Sequence, residues 1–430
     1  MRELRTVLNE RKEEYLTYLK ELIEIDTHDI GHGIEGGLEK EGQEYIIRLF
    51  EKMNADSIEK DYLTEQKVQE CMKIHHEGNP GHNYEERYTV YATFHGEGGK
   101  SILFNGHMDT MPPGDLGQWN RPPHQAVLEE GKLYGLGSAE MKAGVMAAIL
   151  SVKLLQDAGY KLPGDVMITS VCDEEGGGNG SIVAAMNKKT ADGVVVCEGT
   201  SDEVILAHMG FVFFKVQIKG KANHSGAKWL GVSAIEKAMK IIRELEEVEH
   251  SWLLKYKHPL LPAPNLNVGV IQGGTAGSTV AGECTFETCV HYLPQVMSYE
   301  QVVMEFTEAV ERAAEGDLWL REHRPVIDVY QAGGAFEMEQ ESSFVKVFGT
   351  AYQAVEKRKM KVAGSPAGCD SRIWKNIAGC QTIQFGPGNL EQCHSPNEYV
   401  EMEAFWSAVL IYAELILTWG NQELEAENNE

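Results

Sequence analysis

Two imidazoles and five carboxylates stand at the ends of short apolar runs in this chain. They are His107 and Asp109 in FNGHMD, Glu140 in LYGLGSAEMKAG, Glu174 and Glu175 in VCDEEGGG, Glu198 in VVVCEG and His394 in QCHSPNE. Histidines and carboxylates with no thiolate in the set suit zinc, with cobalt or manganese as the alternatives. If one carboxylate is shared by two ions, the ions lie about 3.5–4 Å apart and hold a water that ionises near neutral pH. Such a centre hydrolyses bonds.

Residues this far apart in sequence meet only if the fold gathers strand ends. SILFNGH, DVMITSVCDEE and GVVVCEG read as strands, and AEMKAGVMAAILSVKLLQDAG as an apolar-faced helix ending at Gly159. RYTVYATFHG is a further strand, the N-terminal MRELRTVLNERKEEYLTYLKELIEI and EYIIRLFEKM are helices, and the polar HHEGNPGHNYEER reads as a loop. Strands alternating with helices predict an α/β fold with a doubly wound, mainly parallel sheet. The carboxyl edge of such a sheet is where ligands bind, and nearly every candidate falls there.

The pattern changes between residues 208 and 320. GFVFFKVQIKGK (strand), SAIEKAMKIIRELEEVE (helix), NLNVGVIQGG and CTFETCVHYLP (strands) and SYEQVVMEFTEAVERAAE (helix) form a compact α+β unit. The expected division is 1–207, 208–320 and 321–430, with the first and third parts completing one domain around the insertion.

Composition agrees with two domains and excludes several functions. The chain has 430 residues, 43% of them hydrophobic and 24% charged, more than one core normally serves. Its net charge of −26 repels phosphate backbones and anionic bilayers, so neither nucleic acid nor a membrane is an expected partner. FWSAVLIYAELILTW at 405–419 is short of a membrane span and contains Glu414, which points to a buried terminal helix. The charged N-terminus has no signal-like apolar stretch, and the eight cysteines contain no C-x-x-C pair. A reducing, cytoplasmic setting is expected.

GHMDT, LYGLGSAEMKAG, DEEGGGNGS, CEGT, GCDSR and CHSPNE, in this order and around an inserted domain, resemble one family over essentially the whole chain. It is the metallopeptidase family of aminoacylases, acetylornithine deacetylase, succinyl-diaminopimelate desuccinylase and glutamate carboxypeptidase. The resemblance implies a zinc-exopeptidase-like catalytic domain and a ferredoxin-like lid through which the chain forms a homodimer. It implies two zinc ions per subunit, one on His107 and Glu198, the other on Glu175 and His394, with Glu140 bridging. Asp109 would accept a hydrogen bond from His107 and set its tautomer. Glu174 would be the general base that takes a proton from the bridging water and delivers it to the amine nitrogen. His224, on the lid, would stabilise the oxyanion.

Two positions depart from that family. The bridging residue is usually Asp, and Glu140 is one methylene longer, about 1.5 Å of extra reach. Glu140 then either bridges with some displacement, leaves the second site weak, or only complements the helix N-terminus. The lid usually supplies an Asn and an Arg to grip the substrate, where this chain has Ser278 and His291. Histidine lacks the planar bidentate fork of Arg. Asp370 and Arg372 form either a substrate contact or an internal ion pair. The expected activity is removal of an acyl group from a small N-acylated amine or amino acid. Dipeptidase or carboxypeptidase action is the alternative, and a metal-binding relative without turnover is a third reading. His208, His323 and the group His28, His32, His75, His76 and His82 carry no chemistry at this level and default to surface or loop positions.

Overall fold

The computed structural model describes residues 1–422. The chain divides into two units: Met1–Leu206, Met338–Ala363 and the segment from Cys369 onward make the larger, Ala207–Glu337 with Gly364–Gly368 the smaller.

The larger unit is built on a mixed sheet with a parallel centre. Gln381–Gln384, Gly193–Val196, Gly99–His107 and Gly164–Val171 lie side by side in that order, all parallel. Tyr88–Phe94 and then Ser57–Tyr62 extend one side antiparallel, and Val204–His208 pairs antiparallel with Gln381–Gln384 on the other. The chain leaves Gly99–His107 to form Gly164–Val171 on one flank, then crosses to form Gly193–Val196 on the opposite flank. That reversal is a topological switch point, and it opens a crevice at the carboxyl end of Gly99–His107. His107 is the last residue of that strand.

The helix Lys142–Asp157 is apolar nearly all round and almost wholly buried, because it packs against the sheet and against helices Arg2–Glu24 and Met402–Gly420. Small residues let it come close. A Cβ at Gly144 would fall 1.9 Å from the Cys197 carbonyl oxygen, so only glycine lets the helix start approach the strand end that carries Glu198. Met402–Gly420 is long and apolar enough to cross a membrane by composition, yet Phe405, Val409, Ile411, Leu415 and Trp419 are buried within the unit. Among the elements not legible as such are the strand Ser57–Tyr62 and the helix Glu65–His75, which is capped by Thr64 accepting from Lys67 N–H.

The smaller unit has four antiparallel strands in the order Asn265–Gly273, Glu283–Tyr292, Gly210–Lys219, Val326–Gly333. Helices Ala234–Lys255 and Tyr299–Glu315 supply the ββ-flanking elements of a ferredoxin-like βαββαβ arrangement. Val212, Phe214, Val216 and Ile218 alternate inward along one strand, and Phe214 stacks on Phe306 at 3.8 Å between centroids. The boundary expected at residue 320 is therefore too early. Val326–Gly333 pairs with Gly210–Lys219 and closes the sheet, so the unit runs to Glu337.

Asp317 pins this unit together. It caps the helix Leu318–Glu322 by accepting from Trp319 and Leu320 N–H, at 3.0 and 3.2 Å, and takes Lys237 at 2.7 Å and Lys240 at 2.6 Å. Burial raises its carboxyl pKa, but these hydrogen bonds outweigh burial and hold it well below the usual range. Asp317→Ala is expected to cost about 2–3 kcal/mol at pH 7 in urea unfolding. Because the folded pKa is depressed, that contribution is complete above the unfolded value of about 3.9 and fades as pH falls below it. The gap between wild type and variant should narrow from pH 7 to pH 3; a constant gap would assign the loss to packing instead.

Candidate metal centre

His107 Nδ1 lies 2.7 Å from the backbone carbonyl of Asp109, which turns Nε2 toward Glu140 Oε1 at 3.1 Å and Glu198 Oε1 at 3.6 Å. One donor atom from each of these three side chains falls within 4.8 Å of the others. A neutral imidazole lone pair facing two carboxylates is repulsive unless a cation or a proton lies between them. Burial lowers the His107 pKa, but contact with Glu140 and the charges of Asp109 and Glu174 hold it well above its ordinary value. Glu198 Oε2 is buried with no hydrogen-bond partner among the described residues. The donor types, their convergence and this orphaned oxygen all fit a divalent transition metal.

Glu140 extends from His107 to the second half of the site. Its Oε2 accepts a hydrogen bond from Cys393 Sγ at 2.9 Å, and the next residue, His394, places Nε2 3.0 Å from the Glu175 carboxylate. Burial raises the Glu140 pKa, but the hydrogen bonds from His107 and its neighbours bring it down to about 2. Glu198 moves the opposite way, raised well above the carboxylate range by burial and by Glu140. The two carboxylates cannot both ionise in this buried space without a cation.

The position of Glu140 corrects one reading. The helix begins at Lys142, so Glu140 precedes it, and its carboxylate faces His107 and Cys393. The acid that serves the backbone N–H groups of this loop is Glu398, which accepts from Gly137 at 2.9 Å, Ala139 at 2.6 Å and Glu140 at 3.0 Å. Glu398 stood in the quoted CHSPNE stretch without a role, since nothing local signals a contact 258 residues away.

Asp109 also differs from expectation. Its carboxylate is 4.0 Å from His107 Nδ1, and its Oδ2 instead accepts from the Glu175 backbone N–H at 2.9 Å. The carbonyl of Asp109 sets the His107 tautomer, and its side chain positions Glu175.

Glu174 lies half-buried beside these groups, where the charges of Asp370, His107, Glu175 and Asp109 act on it. Burial, with Asp370 close by, raises its carboxyl well above the usual range. The turn that carries it is held from behind by a charged core. Arg87 is buried against Asp29 at 2.5 Å, Asp173 at 2.8 Å and Glu39, while His82 packs on Asp173 at 2.8 Å. His82 thus lies on the loop expected there, but it is buried rather than at the surface. Gly178 has φ +77°, and a Cβ there would meet Arg372 Nη2 at 2.9 Å, so the GGG run turns the chain tightly against buried charge.

Asp370 and Arg372 are both buried, and the charge of each favours the ionised form of the other. Arg372 Nε donates to Glu77 at 2.9 Å and Nη1 to the Cys369 carbonyl at 2.7 Å, while Asp370 accepts from Asn105 at 3.2 Å and from Ser181. These contacts hold the strand that ends at His107 and leave the Arg372 fork committed internally. The lid residues lie in the smaller unit. His224 is exposed and pairs with Thr279, and Ser278 accepts from Ser225 N–H at 2.8 Å at the same end of the sheet. His291 sits opposite Phe211 at the other end, half-buried, its pKa lowered by burial. Ser278 and His291 are therefore not brought together within the unit.

Cys393 was not singled out beforehand, and its thiol is one of the contacts that fix the Glu140 carboxylate. Cys393→Ala is expected to weaken zinc retention about ten- to a hundred-fold, read by competition with a chelator of known affinity. Unchanged affinity would make the contact incidental.

Histidine and carboxylate donors that converge at the carboxyl end of a parallel strand, beside a topological switch point, suit a metal-dependent hydrolase. The chain belongs to the peptidase family M20/M25/M40, whose profile matches residues 103–418. It is a metal-dependent enzyme that hydrolyses amide bonds. It is 30% identical over 349 residues to an N-formyl-4-amino-5-aminomethyl-2-methylpyrimidine deformylase of Bacillus subtilis, spanning 76% of this chain and 80% of that protein. It is also 30% identical over 312 residues to acetylornithine deacetylase of Pectobacterium carotovorum, spanning 71% and 77%. Among solved structures, an M20 family metallo-carboxypeptidase of Sulfolobus solfataricus matches with a TM-score of 0.74 at 18% identity, over 95% of this chain and 99% of that one. The last likeness is one of fold.

Proposed function

We propose that this chain removes a small acyl group from an N-acylated amine, with Glu174 as general base. The observation that carries the reading is the gathering of His107, Glu140 and Glu198 donors within 4.8 Å at the sheet edge. A further carboxylate, Glu174, lies beside them. His107 and Glu198 would hold one zinc, Glu175 and His394 a second, and Glu140 would be shared. Bound zinc would polarise the acyl carbonyl and lower the pKa of water. Glu174 accepts the proton of the attacking water and returns it to the departing amine nitrogen. Asp109 positions Glu175, and His224, exposed on the smaller unit, is the proposed donor to the oxyanion.

Two observations favour deacylation over peptide cleavage. Relatives at 30% identity are deformylases and a deacetylase by name, whereas the metallo-carboxypeptidase and an aminopeptidase among the solved structures stand at 18% and 20% identity. The clamp positions carry Ser278 and a neutral, half-buried His291, neither of which can grip a carboxylate as Arg does. A homodimer through the smaller unit is supported by the edge strand Asn265–Gly273, which leaves Val270 and Ile271 exposed, and by exposed Trp229, Leu230 and Met239. Eight free cysteines support a cytoplasmic setting.

The test is an amine-release screen of N-formyl, N-acetyl and N-succinyl amines against dipeptides, with zinc, cobalt and manganese supplied in turn. The expected result is a kcat/KM for a formyl or acetyl substrate at least about tenfold above any dipeptide. A preference for dipeptides would overturn the reading.

A further inference from the structure

A second group of imidazole and carboxylate donors lies in the larger unit and shares no side chain with the centre above. Asp26 follows the helix Arg2–Glu24, His28 comes two residues later, and His124 belongs to the turn closed by Gln125 N–H on the Pro122 carbonyl. One donor atom from each falls within 4.8 Å of the others. His28 Nδ1 is 2.7 Å from Asp26 Oδ1, and His124 Nε2 is 3.5 Å from Asp26 Oδ2. The two rings thus flank one carboxylate from either side. The second distance is long for a hydrogen bond but close to the separation of about 3.3 Å between two ligands of one tetrahedral ion. All three side chains are partly exposed, at 25%, 40% and 27% for His28, Asp26 and His124, so an ion and its water could enter.

Asp29, Glu39 and Asp109 also converge, but the buried Arg87 guanidinium already answers Asp29 and Glu39, so that cluster has its cation. The Asp26 group contains no guanidinium. Lys142, whose charge acts on this group, donates its Nζ to the Ile25 carbonyl at 2.7 Å and so is turned to the backbone.

We propose that Asp26, His28 and His124 form an accessory site for a divalent transition metal, zinc in the first instance. Two imidazoles and one carboxylate suit zinc, cobalt or nickel, whereas calcium and magnesium prefer all-oxygen sets. Three protein ligands leave one position for water. Binding moves a proton: the His28 Nδ1–H that now faces Asp26 is released to solvent or replaced by the Nε2–H tautomer as Nδ1 takes the ion.

The site's segments are stitched to the catalytic centre's supports. Asp29 N–H bonds the Thr110 carbonyl at 2.9 Å, just beyond Asp109, and Leu136 N–H bonds the Pro123 carbonyl at 2.8 Å, in the loop that leads to Glu140. A metal here would clamp the end of the first helix to the loop that presents Glu140. Its role is to stiffen that loop.

The test counts zinc. Chelator-treated full-length chain is dialysed against buffered zinc, and bound metal is measured for wild type, Asp26→Asn and the double variant His28→Gln/His124→Gln. Both variants should hold one equivalent fewer than wild type, and zinc added beyond the catalytic complement should raise the Tm of wild type alone. Asp26→Asn keeps the side chain's shape, so it reports even if the double variant misfolds. Equal zinc counts, or an equal Tm rise in wild type and Asp26→Asn, would overturn the proposal. Because the comparison is a difference between variants, it stands apart from whether the catalytic centre deacylates.

Discussion

Glu174→Gln is expected to lower kcat by about 10²–10⁴-fold while leaving zinc content and Tm unchanged. Burial and neighbouring charges act on the side chain, and Gln keeps its volume, so folding has little reason to respond. Its neighbours Asp370, Glu175 and Asp109 all disfavour an added negative charge, and neutralising the residue relieves that repulsion. The loss should therefore fall on turnover alone, and kcat should fall with little change in KM. Steady-state kinetics beside metal analysis checks it. Retained turnover would place the base elsewhere, and loss of zinc would make Glu174 a ligand.

Glu140→Ala is expected to remove most bound zinc and, with it, turnover by at least about a hundredfold, whereas Glu140→Asp should keep both. The side chain is the link between the halves of the site: one oxygen faces His107 and the other the Cys393 thiol beside His394. Alanine leaves His107 Nε2 facing only Glu198 at 3.6 Å and opens the space between the halves. The backbone at this position is fixed independently by Glu398, so the loop should hold its course when the side chain is shortened. Zinc counted by atomic emission separates the outcomes. Full zinc and full activity in Glu140→Ala would mean that the carboxylate is merely packed.

The legible parts of this site were those with a local signature. His107, Glu174 with Glu175, and Glu198 each follow a short apolar strand, and the α/β alternation brings such ends to one edge. The inserted unit was visible because its strands alternate strictly, with Val212, Phe214, Val216 and Ile218 inward. Its fourth strand was not, since Val326–Gly333 is exposed or half-buried along most of its length and carries little hydrophobic periodicity. The same applies to Ser57–Tyr62, with no fully buried residue.

Contacts across long sequence separations stayed hidden for a different reason. Nothing near Arg372 selects Glu77 over Asp370, and nothing near Arg87 or His82 marks them as the charged core behind the Glu174 turn. Residue types predict that a buried charge will be paired, but not with which partner. The tautomer of His107 shows a further limit. A backbone carbonyl performs the role that the sequence offers to the Asp109 side chain, and carbonyls carry no residue identity.

On the proposed function, turnover depends on metal held by His107, Glu140, Glu175, Glu198 and His394. The most direct measurement removes all metal with a chelator, then follows amine release and bound zinc together as zinc is returned. The prediction is negligible turnover without metal, a rise with added zinc that is complete by the second catalytic equivalent, and no recovery in Glu140→Ala. Undiminished amine release from the metal-free chain would contradict it.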